Sequence, residues 1–263
     1  MKDLIFIKLG GSVITDKSGE YVARKGNIAR LAGEIKSALE KTNTKIVIGH
    51  GAGSFAHIPA SIYKTKEGLI NDKSLFGMSV TEEAARWLNG IVIKEFISQK
   101  LPVFPFSPAS FLISDAKVYS KSYLDPIKKA LQIGVIPVVY GDVILDRQIG
   151  CTIFSTEKIF SILSKDLRKD YKIRIIYVTD VDGVYDKNGR TISVISDKNI
   201  NRLKSGIAGA RGVDVTGGML HKVEESLALA GETGIKTLIV NGTKMNRLKK
   251  AILDVKFEGT LIS

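Results

Sequence analysis

The chain has one cysteine, Cys151, in 263 residues. A lone thiol excludes an intrachain disulfide and suits a reducing compartment. With three histidines beside it, zinc-finger spacing is excluded too. No apolar run approaches the roughly 20 residues that a membrane-spanning helix needs. The N-terminus opens on a charged, strand-like segment, without the apolar core and small-residue cleavage site of a secretory signal. These absences predict a cytoplasmic protein with no membrane association. Long linkers, low-complexity tracts and internal repeats are also missing, which predicts one compact unit.

What is abundant is positive charge, +12 in formal terms. The basic residues are spread along the chain and interleaved with acids, as in EIKSALEKTNTK and KDLRKDYKIR. No basic block alternates with aromatics on which bases stack. The charge therefore predicts a solvated lysine-rich surface and a small anionic substrate rather than nucleic acid.

Strand and helix patterns alternate. Leu4 to Ile7, Lys45 to Ile48, Val135 to Tyr140, Ile173 to Val178 and Thr237 to Val240 are short apolar runs bounded by glycine or polar residues, which read as buried strands. Between them, Asn27 to Lys41, Thr81 to Ile97, Pro126 to Ile133, Thr156 to Leu167, Met219 to Ala230 and Met245 to Leu253 have helical spacing. Leu101 to Phe106 reads as a proline-interrupted strand, Gly141 to Phe154 as a hairpin, and Gly259 to Ile262 as a final edge strand. The segment from Pro59 to Phe76 has little periodicity and reads as loop. Continuous apolar strands alternating with helices predict an α/β fold, a mostly parallel sheet covered on both faces.

Three glycine-bearing segments lie at strand ends or helix starts: KLGGS, GHGAGSFAH and DVTGGMLHK. Glycines let backbone N–H groups approach phosphate oxygens, and a following helix N-terminus favours an anion. Lys8, Lys17 and Lys222 stand within reach of such loops. The pattern predicts a polyphosphate site. Gly51 to Ala56 formally matches a dinucleotide fingerprint, but no long helix and no strand-borne acid about twenty residues on are expected after it. Walker A chemistry is excluded, since Gly-Lys never occurs, and protein-kinase motifs are absent. Asp186 to Gly189 reads as a hairpin turn, since the ligand spacing of a calcium loop is missing. His50 and His57 flank a glycine loop, where an imidazole can reach a bound anion.

Taken together, KLGGS, HGAG, TDVDGVY and DVTGGMLHK resemble the amino acid kinase superfamily in order and spacing. Within it, KLGGSVITDK and HGAGSFAH resemble isopentenyl phosphate kinases; Lys17 and His57 are the features that separate these from acetylglutamate, glutamate 5-, aspartate and uridylate kinases. The resemblance covers essentially the whole chain. It implies a three-layer αβα sandwich and a cytoplasmic homodimer. The implied N-terminal substrate lobe reaches to about residue 168, with a C-terminal nucleotide lobe beyond. It also implies ATP with Mg2+ and transfer of the γ-phosphate to isopentenyl phosphate, a step of isoprenoid precursor synthesis by an alternative mevalonate route. Another superfamily kinase acting on a different small phosphate or phosphonate is the alternative. A non-catalytic nucleotide-binding protein on the same fold is a further one, against which the lysine cluster argues.

Residue by residue, the resemblance implies that Lys8, Gly10, Gly11, Ser12, Gly53, Gly218 and Lys222 contact the ATP phosphates. Asp180, Asp182 and Tyr185 would build the nucleotide pocket. Ala52, Gly53, His57 and Thr156 would hold the phosphate of the substrate, and Met78, Val143 and Ile153 its tail. Lys8, Lys17, His57 and Lys222 are the implied catalytic set, Lys17 bridging transferring and accepting groups; no residue is assigned to a metal. Two departures accompany the resemblance. The family loop is usually HGGGSFGH, where this chain has Ala52 and Ala56. After Ser155 the family commonly has glycine and then aspartates; here stand Thr156, Glu157 and Lys158, so that Glu157 would organise the catalytic lysines.

Overall fold

A computed structural model of the chain describes residues 1–16, 18–209, 218–256 and 258–263, with the backbone alone at 205, 206, 208, 209 and 218. The first apolar run forms strand β1 (Lys2–Leu9), which leads into the one-turn helix α1 (Gly11–Ile14). Helix α2 (Lys25–Leu39) buries Ile28, Leu31 and Ile35, the stripe its spacing predicts. Then come β2 (Lys45–His50), α3 (Gly53–Ile62) and the long α4 (Ser74–Ser98). Strands β3 (Val103–Pro105), β4 (Leu112–Asp115) and β5 (Val118–Ser122) precede α5 (Asp125–Ile133). Next are β6 (Ile136–Tyr140), the hairpin β7 (Asp142–Asp146) and β8 (Gly150–Phe154), and α6 (Thr156–Leu167). The rest comprises β9 (Tyr171–Thr179), β10 (Val194–Ile195), α7 (Ile200–Gly209), α8 (Gly218–Thr233), β11 (Lys236–Asn241), α9 (Arg247–Ile252) and β12 (Thr260–Ile262).

The main sheet has the order β10-β12-β11-β9-β1-β2-β6-β3, parallel throughout except for the pair β11–β12. Side chains alternate across it. Leu4 and Phe6 join one core with Ile159, Phe160 and Leu163 of α6 and Val223 of α8. Ile5 and Ile7 join the other with Leu31 of α2, Val92 of α4 and Ile252 of α9. Each such side chain contributes about 1.5–3 kcal/mol by leaving water. Two cores on opposite faces of one sheet make the expected αβα sandwich. A second sheet, β5-β4-β7-β8, stands apart from it.

Three expectations are corrected. The segment from Pro59, read as loop, begins inside a helix: α3 opens at Gly53 and carries Pro59 within it. Proline removes one backbone donor without ending this helix. Helix α4 starts at Ser74, not at Thr81, because the Ser74 hydroxyl accepts the N–H groups of Ile70 and Asn71 and fixes the chain's entry. Strand β12 is not the sheet edge, since β10 pairs outside it. The hairpin expected over Gly141 to Phe154 forms as β7 and β8, within the four-stranded sheet. The Asp186 turn forms as expected, with the Gly189 N–H donating to the Asp186 carbonyl at 3.0 Å. Among the described residues, no helix is long and apolar enough to cross a membrane.

Candidate active site

The strands β1, β2, β9 and β11 all deliver a loop at their carboxyl ends, and the register places these ends side by side: Leu9 beside Val178 and His50, and Asn241 beside Thr179. In open parallel sheets ligands bind in this crevice. The Gly10-Gly11-Ser12 loop and the Gly51-Ala52-Gly53 loop touch there. A Cβ on Gly11 would lie 2.7 Å from the Gly53 Cα, and one on Gly51 would lie 3.1 Å from the Gly11 nitrogen. Side chains at these positions would drive the loops apart.

Lys8 leaves β1 at the floor of the crevice. It is 8% exposed and donates to Glu157 of α6, which is equally buried. Its ammonium also lies 5.8 Å from the centroid of the Tyr177 ring. Burial by itself would push the Glu157 carboxyl upward. The charge and hydrogen bond of Lys8, with the charge of Lys222 from α8, hold it below the ordinary glutamate range. Two elements far apart in sequence therefore bring Lys8 and Glu157 together, with Lys222 near enough for its charge to act on the carboxyl. Glu157 pairs with one of the lysines that the resemblance would have it organise.

Beside this pair is a second polar group. Ser12 donates to Asp180 at 2.8 Å. Asp182 accepts from Asn241 at 3.0 Å and from Lys244 at 2.8 Å, and its N–H donates to the Tyr185 hydroxyl at 3.1 Å. The Lys244 hydrogen bond leads the effects that hold the Asp182 carboxyl below its usual range. Asn241 and Lys244 are not among the residues singled out in the sequence. Their signal is Asn-Gly-Thr-Lys directly after a strand, a fourth glycine-bearing strand end with a lysine.

On the other side, the two loop histidines separate. His50 is fully buried, stacked 5.5 Å from Tyr140, and its ring lies 3.1 Å from both the Asn89 side-chain oxygen and the Gly51 carbonyl. Burial, with the nearby Lys8 charge, lowers its basicity, so it stays neutral and structural. His57 is exposed on α3. The Thr156 hydroxyl donates to the His50 carbonyl at 2.6 Å; that bond ties α6 to the end of β2 and takes up the hydroxyl expected at the substrate. Ala56 is buried with Ala84, Ala85 and Tyr140, and Ala52 packs on that cluster, so both methyl groups are used in packing. Val143 and Ile153 face each other across the β7–β8 hairpin, and α4, which carries Met78, packs against β7. Close to them is Asp142, whose carboxyl burial pushes up to about 7 while Ser107 donates to it at 3.0 Å.

Gly218 opens α8 as expected, with Lys222 in its second turn. Lys17 and residues 214–217 of the third glycine segment lie outside the described residues. The remainder fits a polyphosphate. It offers closely approachable glycine backbone, cations at Lys8, Lys222 and Lys244, and a buried Ser54 hydroxyl with no hydrogen-bond partner among the described residues.

The amino acid kinase family model matches residues 3–241. An isopentenyl phosphate kinase of Methanothermobacter thermautotrophicus is 34% identical, with 99% of each chain covered. One from Methanocaldococcus jannaschii is 33% identical, with 98% of each covered. Among solved structures, one described as an isopentenyl phosphate kinase superposes with a TM-score of 0.83 at 31% identity, covering 99% of this chain and 100% of the other.

Proposed function

The chain belongs to the amino acid kinase family, and from that premise we propose that it transfers the γ-phosphate of ATP to the phosphate of isopentenyl phosphate, forming isopentenyl diphosphate for isoprenoid synthesis. The observation that carries the reading is the buried Lys8–Glu157 pair beside the contact of the two glycine loops, with the charge of Lys222 acting on the same carboxyl.

The chemistry suits these residues. A phosphate monoester has its second pKa at about 6 and is largely dianionic at neutral pH. It needs no general base to attack. It needs cations that allow two anions to meet, and in-line positioning. In this proposal Lys8 and Lys222 hold the β- and γ-phosphates with the N–H groups of Gly10, Gly11, Ser12, Gly53 and Gly218, and Glu157 holds Lys8 in place. Lys17 spans the transferred group, and His57 donates to the acceptor phosphate beside Ala52 and Thr156. Asp180, Asp182 and Tyr185, with Lys244, take the nucleoside end. Met78, Val143 and Ile153 take the isoprenoid tail. Magnesium, carried by the nucleotide, supplies further neutralisation of the phosphate charge.

The acceptor side falls in a lobe reaching to about residue 168 and the nucleotide side in the remainder. We also propose a cytoplasmic homodimer. Phe104 on the outermost strand β3, Ile97 near the end of α4 and Ile133 at the end of α5 are each more than half exposed, an apolar edge suited to a second copy. A solution mass of one chain, 28.7 kDa, would contradict the dimer.

The test of function is ADP release with ATP, magnesium and isopentenyl phosphate, beside acetylglutamate, glutamate, UMP and fosfomycin. Turnover on isopentenyl phosphate is expected. Turnover on another acceptor alone would overturn the substrate, and none on any of them would overturn the kinase reading.

A further inference from the structure

Thr15 follows the glycine loop that ends in Ser12, and nothing above gives it a role. Its side chain is fully buried. Its hydroxyl donates to the Gly11 carbonyl at 2.8 Å and accepts the N–H of Ser54 at 3.2 Å. Gly11 belongs to the loop assigned to the donor phosphates. Ser54 belongs to the second glycine loop, whose Ala52 and following His57 are assigned to the acceptor and whose Gly53 also meets the donor phosphates. One hydroxyl therefore joins the donor-phosphate loop to the loop where donor and acceptor phosphates meet.

The joint is interlocked sterically. Gly53 has φ +51, and a Cβ there would collide with the Thr15 side chain. Gly11 in turn abuts Gly53. The two hydrogen bonds thus act at a contact with no slack on either side. A second set of contacts fastens the same two pieces. Thr15 pairs with Ala23 across the following turn, which seats Tyr21. The Tyr21 ring stacks on Trp87 at 5.3 Å and meets Phe55 edge-on at 5.6 Å. Phe55 directly follows Ser54 and packs on Trp87 at 5.3 Å.

We infer that Thr15 is a positioning residue that sets the register of the donor loop against the second glycine loop, through Gly11 on one side and Ser54 on the other. The inference rests on the kinase reading above. In-line transfer between two bound phosphates depends on near-attack geometry, where a misplacement of about 1 Å costs on the order of 100-fold in rate. A residue acting through register lowers kcat while leaving each substrate's own contacts in place.

The experiment compares the whole protein with its Thr15→Val and Thr15→Ser variants, measuring kcat and KM for ATP and for isopentenyl phosphate. Valine keeps the shape and removes both hydrogen bonds; serine keeps the hydroxyl. Emission from Trp87, the chain's only tryptophan, reports in the same samples whether the aromatic contact with α3 has formed. The expected result is a kcat lowered about 100-fold in Thr15→Val, little change in KM for ATP, wild-type Trp87 emission, and recovery in Thr15→Ser. If Thr15→Val does not fold, Thr15→Ala against Thr15→Ser makes the same comparison. Wild-type kcat in the folded valine or alanine variant, or a serine variant no better than they are, overturns the inference. Wild-type turnover, measured first, tests the kinase reading separately.

Discussion

The Lys8 ammonium and the Glu157 carboxylate form a buried ion pair across 149 residues of chain, at the floor of the crevice between the glycine loops. A buried cation aimed at an anion site must be held somewhere when its ligand departs, and an unpaired one would be costly. Glu157 holds it. The glutamate side chain reaches from the first turn of α6 to Lys8 near the end of β1.

From this pairing, Glu157→Gln is expected to lower kcat by roughly 100-fold through misplacement of Lys8, with a smaller effect on KM for isopentenyl phosphate. Steady-state kinetics with both substrates varied checks this. Equal losses in the two KM values with kcat intact would remove Glu157 from the account.

His57 is assigned to the acceptor. His57→Ala is expected to raise KM for isopentenyl phosphate by about tenfold or more, as the loss of roughly 1.5–3 kcal/mol of hydrogen bonding to a charged group requires. ATP binding, followed by calorimetry, should be unchanged. A fall in ATP affinity with the acceptor unaffected would move His57 to the nucleotide side.

The Asp182–Lys244 pair makes the opposite prediction. Lys244→Ala frees an acid that now accepts from both Lys244 and Asn241. ATP affinity should fall about tenfold or more, the effect of losing one charge-assisted hydrogen bond, while KM for isopentenyl phosphate stays near wild type. A change confined to the acceptor would contradict the placement of this pair.

Much of this site is legible in the residues. Leu4 to Ile7, Ile173 to Val178 and the α2 stripe are patterned strongly enough that burial follows from spacing, and the glycines after β1 and β2 mark the crevice. Helix α3 is hidden by Gly53 and Pro59, whose local preferences oppose the helix that packing enforces. Strand β5, Val-Tyr-Ser-Lys-Ser, is mostly exposed and lacks the alternation of a half-buried strand. Thr15 is an ordinary residue in sequence, and its role comes from a partner 39 residues away; Glu157 stands out only through the family resemblance, since its partner Lys8 lies 149 residues away, a distance no local pattern spans.

Asp146 predicts how the second sheet responds to acid. It accepts from Ser114 at 2.8 Å and from the N–H groups of Ala116, Lys117, Gln148 and Ile149. Burial opposes its ionisation, yet these donors, led by Ile149 and Lys117, hold the carboxyl far below the usual range. The folded state therefore binds this proton less readily than the unfolded chain does. The stability it supplies is present above the ordinary aspartate pKa of about 3.9 and is lost progressively as the pH falls below that value. Asp146→Asn should cost roughly 1–3 kcal/mol at pH 7, with a smaller difference from wild type near pH 3. Denaturant unfolding at the two pH values checks this, and an equal loss at both would contradict it.

The most direct test of the central claim is the fate of the label from γ-32P ATP incubated with isopentenyl phosphate, in the wild-type chain and in Lys8→Ala. The account predicts label in isopentenyl diphosphate for the wild type. In Lys8→Ala it predicts a rate lower by about 100- to 1,000-fold, as for loss of one preorganised charge-stabilising donor, with nucleotide still bound. Label appearing only in inorganic phosphate, or a Lys8→Ala chain that transfers it at the wild-type rate, would contradict it.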